Sequence, residues 1–330
     1  GMKFYNASGV EKDCFQLMKD LGMNAIRLRV WVNPEEHGNW CDKGDFLAKA
    51  KRAAKLGMDL MVDFHYSDWW ADPGQQFKPA AWKGKSLAEL KQAIADHTKD
   101  VLVALKSAGV TPKWVQVGNE IRPGMLWDED VALSGASYDI YEKDVKGLDS
   151  PVDKLKYPKN FANLAVFINT GYEAVKSVFP NAVVIVHLDN GYDNSLYTWF
   201  FDELKKNDGK WDMIGMSLYP YWTMLEHKEY TAEKTIEDCI ANIKKVSTKY
   251  DCDVMVVETG MECADDKGRL AAASVLQEGK KLLTRILKEC RENTNDRCKG
   301  VFYWEPECRP SQYRLGAFTE DGYPTVIMDA

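Results

Sequence analysis

The chain has 330 residues with 43 basic and 50 acidic side chains, a formal charge of −7, and 45% apolar, 28% charged and 12% aromatic residues. This is the make-up of a globular protein with chain enough for a large core, and the acidic balance argues against nucleic acid as the main partner, because phosphate binding wants clustered Lys and Arg. There is no run of about 18 apolar residues to span a membrane, and the start, Gly1-Met2-Lys3-Phe4-Tyr5-Asn6, lacks the apolar stretch of a signal peptide.

Short runs rich in Val, Ile and aromatics alternate with amphipathic helical stretches along the chain. Met2–Val10 is short and carries Asn6 and Gly9. A helix follows over Glu11–Leu21, then a strand over Asn24–Trp31, a helix over Asp45–Leu56 and a strand over Met58–His65. Leu87–Ala108 reads as helix, Trp114–Glu120 as strand, Phe161–Val178 as helix and Ala182–Asp189 as strand. Trp211–Tyr219 is a strand, Thr235–Tyr250 a helix, Asp253–Glu258 a strand, Arg269–Glu289 a helix and Gly300–Glu305 a strand. Gly22, Gly57 and Gly109 supply helix stops.

Strands separated by helices must run parallel with right-handed crossovers, and strands buried on both faces read as continuous apolar runs, as these do. No glycine-rich turn follows the first strand, so a dinucleotide-binding sheet is disfavoured. The expectation is an α/β chain forming one catalytic (β/α)8 TIM-type barrel domain over residues 1–330. Seven strands are visible rather than eight, so the first barrel strand is missing, or stunted within Met2–Tyr5.

Polar residues collect at the C-terminal ends of the strands: Arg27 and Arg29, Asp63 and His65, Asn119 and Glu120, His187 and Asp189, Ser217 and Tyr219, Glu258, then Trp304 and Glu305. In such a barrel these ends form the mouth that carries the site. Glu120 and Glu258 sit three strands apart, nearly across an eight-strand ring, which suits hydrolysis of a glycosidic bond by two carboxylic groups. The plainer reading is that each Glu only pairs with an arginine such as Arg27 or Arg29.

Trp31, Trp69, Trp70, Trp127, Trp222 and Trp304, with Tyr66, Tyr219 and Tyr221, lie at or just after strand ends. Aromatic faces there can stack on sugar rings while polar groups read the hydroxyls. Trp114 and Trp211 begin strands and belong to the opposite, packing face.

Other chemistries are not supported. Gly84-Lys85-Ser86 lacks the first glycine of a phosphate loop, since position 79 is proline. Gly215-Met216-Ser217-Leu218-Tyr219 lacks the second glycine of a nucleophile elbow. The five histidines show no zinc spacing, and Asp265-Asp266 alone is thin ground for calcium. No cofactor and no metal are expected. The eight cysteines form no C-x-x-C pair and read as isolated buried thiols, with one or two C-terminal bridges left open.

The motifs Gly22-Met23-Asn24-Ala25-Ile26-Arg27-Leu28-Arg29-Val30-Trp31, Asp63-Phe64-His65-Tyr66-Ser67-Asp68, Gln116-Val117-Gly118-Asn119-Glu120-Ile121, His187-Leu188-Asp189-Asn190-Gly191, Ser217-Leu218-Tyr219-Pro220-Tyr221-Trp222, Glu258-Thr259-Gly260 and Tyr303-Trp304-Glu305-Pro306 stand in one order. In these the chain resembles glycoside hydrolase family 53, the arabinogalactan endo-β-1,4-galactanases, from about Lys3 to the region of Ala317. The resemblance implies a retaining endo-hydrolase of β-1,4-galactan, with Glu120 as general acid/base and Glu258 as nucleophile. It further implies that Arg29 holds Glu258 ionised, Asn119 bonds the sugar 2-hydroxyl and Tyr219 orients Glu258. Trp31, His65, Asp68, Trp70, Trp127, His187, Asp189, Trp222, Trp304 and Glu305 would complete the substrate-binding set.

Family members carry a barrel strand just before the segment matched by Lys3-Phe4-Tyr5, and it has no counterpart here, which would leave two sheet edges unpaired. The calcium loop of some bacterial members is not recognisable after Glu258. The expected partner is a polysaccharide, the state a monomer, and the location outside the cell or in its envelope, because the polymer cannot cross a membrane. The alternatives are a retaining hydrolase of another β-linked polysaccharide, a mannan or glucan, and a catalytically impaired carbohydrate-binding barrel.

Overall fold

The computed structural model describes residues 2–127 and 161–330. Seven parallel strands follow one another in a curled sheet: β3 (Ala25–Val30), β4 (Asp59–Phe64), β5 (Trp114–Val117), β6 (Val183–Leu188), β7 (Met213–Leu218), β8 (Asp253–Thr259) and β9 (Cys298–Val301). Before them β1 (Phe4–Tyr5) and β2 (Glu11–Lys12) form a separate antiparallel pair.

Helices on the outer face connect the strands: α1 (Cys14–Asp20), α2 (Lys43–Lys55), α3 (Leu87–Ser107), α4 (Phe161–Val178), α5 (Asn194–Lys206), α6 (Pro220–Glu226), α7 (Ala232–Tyr250) and α8 (Ala273–Glu292). Local chemistry sets several of their ends. Ser86 and Glu89 make a reciprocal capping box on α3, and Asp42 and Thr231 cap α2 and α7. Gly22, Gly57 and Gly109 follow their helices at positive φ, as expected of helix stops.

The side chains form two layers inside the sheet. A floor of Met61, Trp114, Ile185, Met213, Met255 and Val257 fills the bottom, while a larger apolar core joins the sheet's outer face to the helices. Above the floor the inward residues turn polar. Register puts Arg29 beside Asp63, Asp63 beside Gln116, His187 beside Gly215, and Ser217 beside Glu258. The β7–β8 register shifts between Met216 and Ser217, an irregularity of the kind that re-aims a strand-end side chain.

The sheet does not close. β3 and β9 are its two edges, and a groove of about 630 Å³ runs between them, floored by residues of both strands. At its upper end Arg29 Nη1 on the β3 side meets Glu305 Oε1 beyond β9 at 2.6 Å. The expectation of seven strands, with the first barrel strand missing or stunted, therefore holds.

Several boundaries differ from expectation. Phe4–Tyr5 is a strand, but it packs on the C-terminal segment, Phe4 against Phe318 and Tyr5 stacked on Tyr323. Glu11 and Lys12 belong to that hairpin, because Asp13 caps α1 and starts it later. The last strand is Cys298–Val301 rather than Gly300–Glu305, so Trp304 and Glu305 lie beyond its end. All eight cysteines are free thiols, six of them buried. No described helix is long and apolar enough to cross a membrane.

Candidate active site

The strand ends and the loops beyond them enclose a cavity of about 360 Å³. Glu120 and Glu258 both line it, as do His65, Trp70, Asn119, Asp189, Tyr219, Trp222 and Trp304. Tyr66, Glu120, Asn190 and Glu305, each just past a strand end, all hold positive φ. Such conformations cost about 1 kcal/mol or more and persist where surrounding contacts fix them. Gly118 (φ +85°) makes the turn into Glu120 possible, since a Cβ there would stand 2.6 Å from Ile121.

Arg27 organises the floor of the site. Its guanidinium reaches Glu258 Oε1 at 2.9 Å, Asp63 Oδ2 at 2.8 Å, Asn119 Oδ1 at 2.6 Å and, through Nε, Gln116 Oε1 at 2.7 Å. Tyr219 OH donates to the other oxygen of Glu258 at 2.9 Å. Glu120 has a different setting. Ser217 Oγ donates to its Oε1 at 2.6 Å, and no cation pairs with it among the described residues. Arg122, the nearby cation, is gripped by both oxygens of Asp189 at 2.9–3.1 Å.

These settings split the two carboxyls. Burial pushes both above the usual carboxylate range. Glu258 is restrained by the charge of Arg27 and the Tyr219 hydroxyl, whereas Glu120 is driven well above that range by burial and then by the negative charges of Glu258 and Asp189. The first proton taken up by the pair therefore goes to Glu120, and Glu258 remains the anion.

The sequence placed Glu120, Glu258 and seven of the other named residues in this cavity, but the remaining assignments need correction. Arg29 does not hold Glu258; it sits higher, pairing with Glu305 and lying 4.1 Å over the Trp70 ring. Arg27, one layer deeper, has the reach to the Glu258 carboxylate. Trp31 is fully buried off the cavity lining, and its Nε1 donates to His65 Nδ1 at 3.2 Å, fixing that ring. Asp68 staples loops instead of lining the cavity, accepting from the backbone of Asn33 and Ala80. Trp127 is fully buried against Phe77, with Nε1 on the Pro123 carbonyl. His187 is also fully buried and contacts Ser217 rather than the cavity. Glu305 is likewise off the lining.

Gln116 and Tyr313 were missed, while Arg27 and Ser217 were placed at the mouth without a role. Tyr313 lines the cavity edge-on to Trp304, 4.9 Å between centroids, from a loop with no periodic pattern to flag it. Arg27 and Gln116 lie inside apolar strands, where inward parity was the available signal. The acids Asp265 and Asp266 are each engaged by an arginine, Arg269 and Arg314.

A parallel barrel sheet whose mouth carries two buried glutamates in different settings under aromatic walls defines a glycosidase. The glycosyl hydrolase family 53 model matches residues 1–325, and the chain belongs to that family. It is 33% identical to an uncharacterised protein from the bgaB 5' region of Niallia circulans, covering 94% of this chain and 81% of that protein. It is 30% identical to a probable arabinogalactan endo-β-1,4-galactanase A of Neosartorya fischeri, over 93% of this chain and 79% of that one. A solved fungal β-1,4-galactanase superposes with TM-score 0.79 at 26% identity, covering 100% of this chain and 94% of that structure. The family 53 catalytic domain of Ignisphaera aggregans gives 0.78 at 26%, over 99% and 90%.

Proposed function

We propose that this chain cleaves internal β-1,4-galactosidic bonds of galactan and arabinogalactan with retention of configuration, as a single catalytic barrel domain over residues 1–330. The observation that carries the mechanism is the split of the two carboxyls within one cavity: Glu258 is met by Arg27 and Tyr219, and Glu120 by no cation among the described residues. The substrate follows from the galactanases among the family relatives.

In the first step Glu258 attacks the anomeric carbon while Glu120 gives its proton to the departing galactosyl oxygen. The carbon–oxygen bond breaks and a galactosyl ester forms on Glu258. In the second step Glu120, now a carboxylate, takes a proton from water, which displaces Glu258 and leaves Glu120 protonated again. Two inversions give net retention, for which the carboxyl groups stand about 5–5.5 Å apart. Asn119, held by Arg27 Nη2 and donating to the Ala71 carbonyl at 2.7 Å, is fixed to meet the sugar 2-hydroxyl. Trp70, Trp222 and Trp304 offer stacking faces, and His65 and Asp189 polar contacts. The enzyme acts as a monomer on a polymer too large to enter a cell, hence outside it or in the envelope.

Reducing-sugar release from unbranched galactan, beside β-mannan and β-glucan, tests the substrate, and NMR of the first-formed anomer tests the stereochemistry. Turnover of galactan with the β-anomer appearing first is expected. Preference for mannan or glucan overturns the substrate, an α-anomer first overturns retention, and binding without turnover overturns the enzyme reading.

A further inference from the structure

A chain of hydrogen bonds runs from Arg27 to Glu120, and its polarity can be followed outward from the guanidinium. Arg27 Nε can only donate, and it lies 2.7 Å from Gln116 Oε1. That fixes the Gln116 amide with its oxygen towards Arg27 and its NH2 towards His187 Nδ1 and Asp63 Oδ1, each 3.0 Å away, with the Gly118 carbonyl a longer third acceptor at 3.2 Å. The backbone N–H of Glu120 points at the same Nδ1 at 3.3 Å. Two donors converge there, so Nδ1 is the acceptor and the ring proton sits on Nε2. Nε2–H therefore donates to Ser217 Oγ at 2.8 Å, leaving the Ser217 proton for Glu120 Oε1 at 2.6 Å.

We infer that Gln116, His187 and Ser217 form a one-way relay that orients the acid catalyst, reserving Oε1 of Glu120 as an acceptor and placing the transferable proton on Oε2. These three are positioning residues: His187 and Gln116 are fully buried and act through Ser217. The relay begins on the same guanidinium that binds Glu258, so Arg27 sets the nucleophile's charge and the acid's proton together. Its effect grows along the reaction coordinate. As Oε2 loses its proton to the leaving oxygen, Glu120 becomes an anion and the Ser217 bond becomes charge-assisted.

The surroundings support a neutral His187. Burial and the charge of Arg27 lower its pKa well below the usual value, and His65 is the other titratable ring facing it. Glu120 is faced by the carboxylates of Glu258, Asp189 and Asp72, by Ser217, and by the phenols of Tyr197, Tyr219 and Tyr313.

The relay rests on Glu120 being the acid, so the test has one arm independent of turnover. ¹⁵N NMR of the intact, histidine-labelled protein reads the His187 tautomer directly. Protonated Nε2 with bare Nδ1 is expected; an Nδ1–H tautomer or an imidazolium near neutral pH overturns the relay whatever the enzyme does.

The second arm is Ser217→Ala, assayed on galactan and on an aryl β-galactoside oligomer with an acidic phenol as leaving group. On galactan kcat should fall about tenfold with KM little changed, while the aryl substrate, which needs no protonation, loses far less. Removing a donor to the carboxylate raises the Glu120 pKa, so the alkaline limb should move up by about one pH unit. Ser217→Thr should restore both. Equal loss on the two substrates with an unmoved limb overturns the positioning role. Wild-type protein inactive on every galactan, but with the expected tautomer, sinks the galactanase reading and leaves the relay standing.

Discussion

Arg27 Nη1 lies 2.9 Å from Oε1 of Glu258, a residue 231 positions further along the chain. Both side chains are over nine-tenths buried, and the same guanidinium also neutralises Asp63. Removing it would leave two carboxylates uncompensated in the interior. Arg27→Met should therefore destabilise the fold by about 3–5 kcal/mol, read from the midpoint of urea unfolding. A loss below 1 kcal/mol would mean that the carboxylates find other partners.

Glu258→Ala removes the oxygen proposed to attack while leaving the aromatic walls in place. Turnover should fall by at least about 10⁴-fold, with galacto-oligosaccharide affinity by titration calorimetry changed by only a few-fold. Parallel loss of binding and turnover would make Glu258 a structural residue.

The pH profile follows from the two carboxyls. The proposed mechanism needs Glu258 ionised and Glu120 protonated, so kcat/KM should fall on the acid side as Glu258 gains a proton and on the alkaline side as Glu120 loses one. Glu120→Gln should abolish the alkaline limb and cost about 10²–10⁴ in rate on galactan. A limb that survives the substitution belongs to another group.

The same burial has a sign for stability. The folded-state pKa of Glu120 is raised above its unfolded value, so the folded form holds the extra proton. The folded state is least penalised below the unfolded pKa of about 4.3, and stability is lost as pH rises from there through the folded value. Glu120→Gln, which cannot ionise, should be more stable than wild type at neutral pH and equal to it near pH 4. Thermal unfolding at the two pH values decides, and an equal difference at both contradicts the shift.

Trp70 is propped from behind by the Arg29 guanidinium at 4.1 Å and by Trp304 at 5.7 Å between centroids. Its ring is thereby fixed for stacking. Trp70→Ala should raise KM about tenfold with kcat within about threefold, because the contact is made equally in ground and transition states. A kcat loss with unchanged KM would place Trp70 nearer the reacting bond.

Much of the site could be read from one dimension. Glu120 and Glu258 were legible because a charge ending a buried apolar strand is costly unless it has a task. What failed was depth. Arg27 and Arg29 share parity on one strand, so both look equally able to reach Glu258. Their different heights send one to Glu258 and the other to Glu305. Trp31 and Trp127 carry the same aromatic signal as Trp70, yet they are fully buried and do not line the cavity.

The sequence by itself determined the parallel barrel sheet, its seven strands and the ring of polar strand ends, because periodicity and burial act locally along the chain. Only the tertiary structure decided which guanidinium meets which carboxylate, and which way the Gln116, His187 and Ser217 protons point. Those outcomes depend on distances of a few ångströms between groups tens to hundreds of residues apart, fixed by strand register and side-chain length together.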